Sequence, residues 1–253
     1  MRVFGWLVVL ALGAAAPATA QQGGIDDYLA TATRFEAYVA ASAAGGALPR
    51  MDDREARAML RRLTDMRATF GRASYTPADL ERLGSVLERA MATASLYMQH
   101  NVDPTSASPE TQTAQGMNIV TYQNEVMPLL GFALDAAALI ARTQARAFEG
   151  GVTPDEATRA RLVQMRGGIQ QMLNGVIGLS AAPGISFENR LVALRAISRN
   201  APTFAVTLSV AQREEALAAL NANGESDNAD VARETARAMA GLTVESCTGF
   251  CPL

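Results

Sequence analysis

The 253-residue chain is expected to be all-α: a multi-helix bundle of about seven to eight helices, with a long central helix that is kinked or broken. Three observations lead there. Apolar residues recur at three- and four-residue steps along Ala-rich segments, the spacing of one helix face. Apolar–polar alternation over strand lengths is nearly absent. Capping motifs stand where the periodic segments begin: Thr76-Pro77, Ser108-Pro109, Thr153-Pro154-Asp155-Glu156, and Ser209 with Gln212.

Residues 1–20 read as a cleavable secretory signal peptide. Arg2 supplies the positive start, residues 3–16 an apolar run of 14, and Ala18-Thr19-Ala20 a small-residue cleavage site before Gln21. Such a run is shorter than the roughly 20 residues of a membrane span. The other long apolar stretch, 127–141, contains Pro128 and Asp135 and reads as a buried helix, so no transmembrane span is expected after signal removal. The mature chain would lose Trp6, its only tryptophan, and would be periplasmic or secreted.

The helical domain is expected over 21–246, either as one body or as two sub-bundles sharing helix 109–148. Helix 26–42 carries Leu29, Ala32, Phe35 (or Glu36) and Val39 on one side and ends at Gly45-Gly46 and Pro49. Helix 52–70 carries Ala56, Met59, Leu63, Met66 and Phe70. The helix opened by Thr76-Pro77 carries Leu80, Leu83, Leu87, Ala90, Ala94 and Tyr97, and 101–108 is a polar loop. Segment 109–148 would be roughly 60 Å long as one helix, against a radius of gyration of about 17 Å for a compact chain of this size. A break or kink is therefore expected near Gly116 or Pro128. Thr153 is expected to cap a helix reaching Leu179, whose Gly167, Gly168, Gly175 and Gly178 imply close helix–helix approach. Ser186 opens a helix stopped by Pro202, Ser209 opens one ending before Asn223-Gly224, and 227–240 is the last.

The charge balance, 22 basic residues (all Arg) against 25 acidic, argues against a nucleic-acid partner, for which basic chains are the rule. Two cysteines and one histidine exclude most His-built metal sites and a four-cysteine zinc site. No cofactor and no metal are expected. No Ser/His/Asp set, phosphate loop or carboxylate pair marks an enzyme.

Cys247 and Cys251, four apart in an oxidising compartment, are expected to form a disulfide that pins the tail 247–253. The segment Cys247-Thr248-Gly249-Phe250-Cys251-Pro252 resembles the copper-binding motif of Sco-type copper chaperones, which implies a soft-metal site. That family's distant ligand histidine has no counterpart here. Met59/Met66, Met91/Met98 and Met165/Met172, each seven apart, repeat on single helix faces and read as core filling. Asn221, Asn223, Gly224, Asp227 and Asp230 follow part of a calcium-loop pattern, but Ala219 stands where its first carboxylate is needed. Leu208-Ser209-Val210-Ala211-Gln212 resembles the LTxxQ motif of Spy/CpxP-like periplasmic helical proteins, with Ser replacing Thr.

The candidate ligand site is Asn118, Tyr122 and Glu125, at i, i+4 and i+7 on one helix face that turns apolar with Leu129, Phe132 and Ala136. Asp135 is expected to face solvent. The six arginines between Arg54 and Arg72 read as a solvated face. Two functions fit these residues. One is a non-enzymatic interaction, scaffold or chaperone-like role toward an envelope protein. The other is a helical bundle that binds a small ligand or copper.

Overall fold

The structure, a computed structural model, describes residues 23–43, 46–71, 74–103, 105–106, 108–148, 153–224 and 226–243. Those residues form an all-helical bundle: α1 (Gly23–Ala43), α2 (Arg54–Leu63), α3 (Met66–Phe70), a 3-10 turn (Pro77–Asp79) leading into α4 (Leu80–Met98), α5 (Pro109–Thr121), α6 (Gln123–Arg146), α7 (Glu156–Ala181), α8 (Phe187–Thr207), α9 (Val210–Gly224) and α10 (Ala229–Leu242). Two of the eight expected helices are split, and this raises the count to ten. The break in 52–70 falls at Asp65, whose carboxylate caps α3 by accepting the Ala68 N–H. The break in 109–148 falls at Tyr122, between the two expected places, and Pro128 sits inside α6.

α6 is the central element. It packs against α4 on one side and α8 on the other. It is long and apolar enough to cross a membrane, yet 83% of its most apolar stretch is buried within the protein. One contiguous apolar cluster runs from Ile25 in α1 to Leu242 in α10. Every position of the α4 stripe, Leu80, Leu83, Leu87, Ala90, Ala94 and Tyr97, is buried. On α1 the expected Ala32, Phe35 and Val39 are buried, and only the first position differs: Tyr28 is fully buried and Leu29 only partly.

The caps explain where most helices start. Ser108, Ser186 and Asn228 each accept a backbone N–H from the first turn they precede. Ser209 and Gln212 form a reciprocal box, Ser209 N–H donating to Gln212 Oε1 at 2.9 Å and Gln212 N–H to Ser209 Oγ at 3.3 Å. The cap of α7 is Asp155 rather than Thr153. Its carboxylate accepts the Thr158 N–H at 2.7 Å, a charge-assisted bond stronger than a hydroxyl could make.

α8 does not stop at Pro202 but continues through it to Thr207. Ala201, Phe204, Ala205 and Thr207 are buried in this second half. The burial outweighs the roughly 3 kcal/mol that an interior proline costs. Gly241 on α10 permits the contact, because a Cβ there would lie 2.6 Å from Ala201 Cβ and 3.3 Å from Pro202 Cδ.

The α7 glycines have the opposite character. A Cβ at Gly167, Gly168, Gly175 or Gly178 meets nothing within 4 Å, so close packing is not their reason. Gly167→Ala and Gly168→Ala are each expected to raise stability by about 0.5–1 kcal/mol through helix propensity. Gly241→Ala is expected to lower it. Urea midpoints of the three variants check the contrast, and a destabilised Gly167→Ala would contradict it.

Candidate functional site

Asn118, Tyr122 and Glu125 are brought together at the α5–α6 junction, against the end of α4 and segment 46–53. Asn118 Nδ2 donates to the carbonyls of Met98 (3.2 Å) and His100 (2.8 Å). Tyr122 is buried, its ring centroid 5.4 Å from that of Tyr97 and 6.0 Å from the edge-on His100 ring, with the Arg50 guanidinium 5.0 Å above it. Glu125 Oε1 accepts the Met51 N–H at 2.7 Å. Arg50 donates to the Thr121 carbonyl, and the Tyr97 hydroxyl to the Pro49 carbonyl. These groups tie segment 46–53 to the helix junction. Leu129, Phe132 and Ala136 beyond them are core residues, all buried.

Burial holds the Glu125 carboxyl above the ordinary glutamate pKa. The Met51 N–H and the charge on Arg50 oppose this rise, and Asp52 adds to it. The folded chain therefore binds this proton more readily than the unfolded chain. Stability falls as pH rises from the ordinary glutamate value through the raised folded one. Glu125→Gln keeps an acceptor for Met51 N–H and removes the charge. The variant is expected to match or exceed the parent at neutral pH and to lack this falling limb. Urea midpoints between about pH 4 and 8 check this; a variant weaker at every pH would contradict it.

Asp135 corrects the sequence expectation: it is buried, not solvated. Its carboxylate accepts from Arg199 Nε (2.9 Å), Arg199 Nη2 (2.7 Å) and Asn200 Nδ2 (2.6 Å). The bidentate fork from α8 supplies what a burial reading along α6 alone lacks.

Two adjoining depressions open beside this pair. The smaller, about 440 Å³, is lined by Thr64, Met66, Asp135, Arg142, Arg199 and Asn200. The larger, about 570 Å³ and open to solvent, lies between α3, the residues Gly71, Ser74 and Tyr75, and the end of α6. α3 contributes Met66, Arg67 and Phe70; α6 contributes Leu139, Arg142, Thr143 and Arg146. The floor is apolar, with Phe70 stacked on Phe132 (5.5 Å between centroids) and edge-on to Tyr75 (6.3 Å). The rim is cationic. Burial around the Arg142 guanidinium pushes its pKa down; the Asp135 charge raises it and the Arg146 charge lowers it. Sequence reasoning missed this place. The available signal was Arg142 and Arg146, spaced i, i+4 at the end of an apolar helix.

Cys247 and Cys251 lie outside the described residues. Asn221, Asn223 and Gly224 lie within α9, so they form no calcium loop. Met59, Met66, Met91, Met98 and Met172 pack partly buried against the core, and Met165 is buried within it. In the 54–72 segment Arg62 is a structural tie, donating to Asp27 (2.6 Å), Thr69 (2.8 Å) and the Gly24 carbonyl (2.9 Å), while Arg54, Arg61 and Arg67 are exposed. No protein-family model matches the chain, and neither does any curated protein or solved structure.

Proposed function

We propose that this chain is an exported, non-enzymatic helical protein that works by binding a small ligand, with the depression between α3 and α6 as its site. The observation that carries the reading is that depression itself. It offers about 570 Å³ of space, open to solvent, where apolar side chains lie beside three exposed arginines. Arg2, the 14-residue apolar run and Ala18-Thr19-Ala20 support export. The helical frame supports ligand binding in a general way, since bundles build sites between facing helices.

The test is to isolate the protein from its own cells, denature it and identify any co-purifying small molecule by mass spectrometry. The expected result is one molecule per chain, lost when the exposed Ser74 on the rim is replaced by tryptophan to fill the space. Equal recovery from parent and Ser74→Trp would reject the site.

A further inference from the structure

We infer that the ligand of this depression is an amphiphilic anion, a phosphate or carboxylate head joined to an aliphatic body. The inference rests on the binding reading above and names its ligand class. Arg67, Arg142 and Arg146 line the depression, and among the described residues no carboxylate lines it. Among the described residues none of these three arginines forms an ion pair or a hydrogen bond to a carboxylate. The acid nearest in effect, Asp135, is already held by Arg199 and Asn200.

Arg142 and Arg146 are a like-charge pair at i, i+4, an arrangement that destabilises a helix when nothing neutralises it. Arg142, though its side chain is exposed, has surroundings that lower its pKa. An anion between the guanidinium groups relieves both costs, and the planar donor fork of arginine suits a phosphate or carboxylate.

The floor specifies the rest of the molecule. Phe70 already has one face on Phe132, with an interplanar angle of 16°, and Tyr75 packed edge-on at 81°. A flat base or aromatic ring therefore finds no open aromatic platform. Met66 and Leu139, both partly buried, offer flexible aliphatic surface instead.

The test is calorimetric titration of the mature protein with octyl phosphate, octanoate, octanol, inorganic phosphate and adenosine monophosphate. Octyl phosphate or octanoate is expected to bind at one per chain, with octanol and inorganic phosphate each roughly tenfold weaker or worse, because each lacks one half of the recognition. Binding is expected to weaken with salt, a readout that needs no variant. The double variant Arg142→Gln with Arg146→Gln is expected to lose roughly tenfold or more in affinity.

Octanol binding as tightly as octyl phosphate, unchanged affinity in the folded double variant, or tighter binding of adenosine monophosphate would overturn the ligand class and leave the binding site standing. So would silence from every probe if the co-purifying molecule is still lost in Ser74→Trp. Silence from every probe together with no co-purifying molecule would remove the site as well.

Discussion

Arg199→Leu is expected to destabilise the fold by about 3 kcal/mol, more than Asp135→Leu, although arginine is the exposed member of the pair. The Asp135 side chain is 5% exposed and that of Arg199 56%. Removing Arg199 strands a carboxylate in the interior with the Asn200 amide as its remaining hydrogen-bond donor. An ionised group left buried without its partner is the costly outcome. Removing Asp135 has milder consequences. Arg199 turns to water, and Asn200 keeps its bond to the Ala196 carbonyl at 2.9 Å; the cost is about 1 kcal/mol, that of one lost hydrogen bond. The double variant Asp135→Leu with Arg199→Leu is expected to lie near the Asp135→Leu value, giving a coupling of about 3 kcal/mol. Urea denaturation at neutral pH with unchanged slope measures all three. If Arg199→Leu costs less than Asp135→Leu, the carboxylate is hydrated through the adjoining depression, and the pair holds α6 to α8 less firmly than its geometry implies.

Phe132→Ala is expected to cost about 4 kcal/mol, the range of large-to-small changes at fully packed aromatic sites. Phe132 is the middle ring of a three-ring stack. Its centroid lies 5.1 Å from Tyr28 on α1 and 5.5 Å from Phe70 on α3, with interplanar angles of 10° and 16°. Truncation removes buried area and both ring contacts at once. α3 has five residues, too few to be helical without tertiary support. Faster amide exchange at Met66–Phe70 is therefore expected together with the loss of global stability. Phe132→Leu, which keeps most of the volume, is expected to cost about 1.5 kcal/mol. A Phe132→Ala cost near 1 kcal/mol would mean that the neighbours collapse into the space, and the stack would not be what positions α3.

The depression depends on the same stack, since Phe70 forms its floor and Arg67 on α3 part of its rim. The residues that build the site are thus spread over two helices and one loop. Arg67 and Arg142 are 75 positions apart in the sequence. No local pattern links them, and the i, i+4 spacing of Arg142 and Arg146 does not by itself distinguish arginines facing bulk water from arginines facing a cleft. The trio Asn118, Tyr122 and Glu125 was legible because all three belong to one short stretch. Their role was not, because their partners come from α4 and from segment 46–53, as in the Met51–Glu125 bond that spans 74 positions.

The all-helical class, the buried stripe of α4 and the starts marked by Ser108, Ser186 and Ser209 were legible in the residues alone. All of these follow from interactions within one or two turns: the 3.6-residue period and a side-chain oxygen meeting an N–H two or three residues on. Where the long segment breaks, the run of α8 through Pro202, the burial of Asp135 and the set of arginines that line the depression depend on how the helices pack. Each of those outcomes weighs a local penalty against contacts with another helix. Proline's missing N–H is offset by α10 against Gly241, and the buried carboxylate by an arginine 64 positions away. A local reading sees the penalty alone, and the compensating contact exists only once the helices have packed.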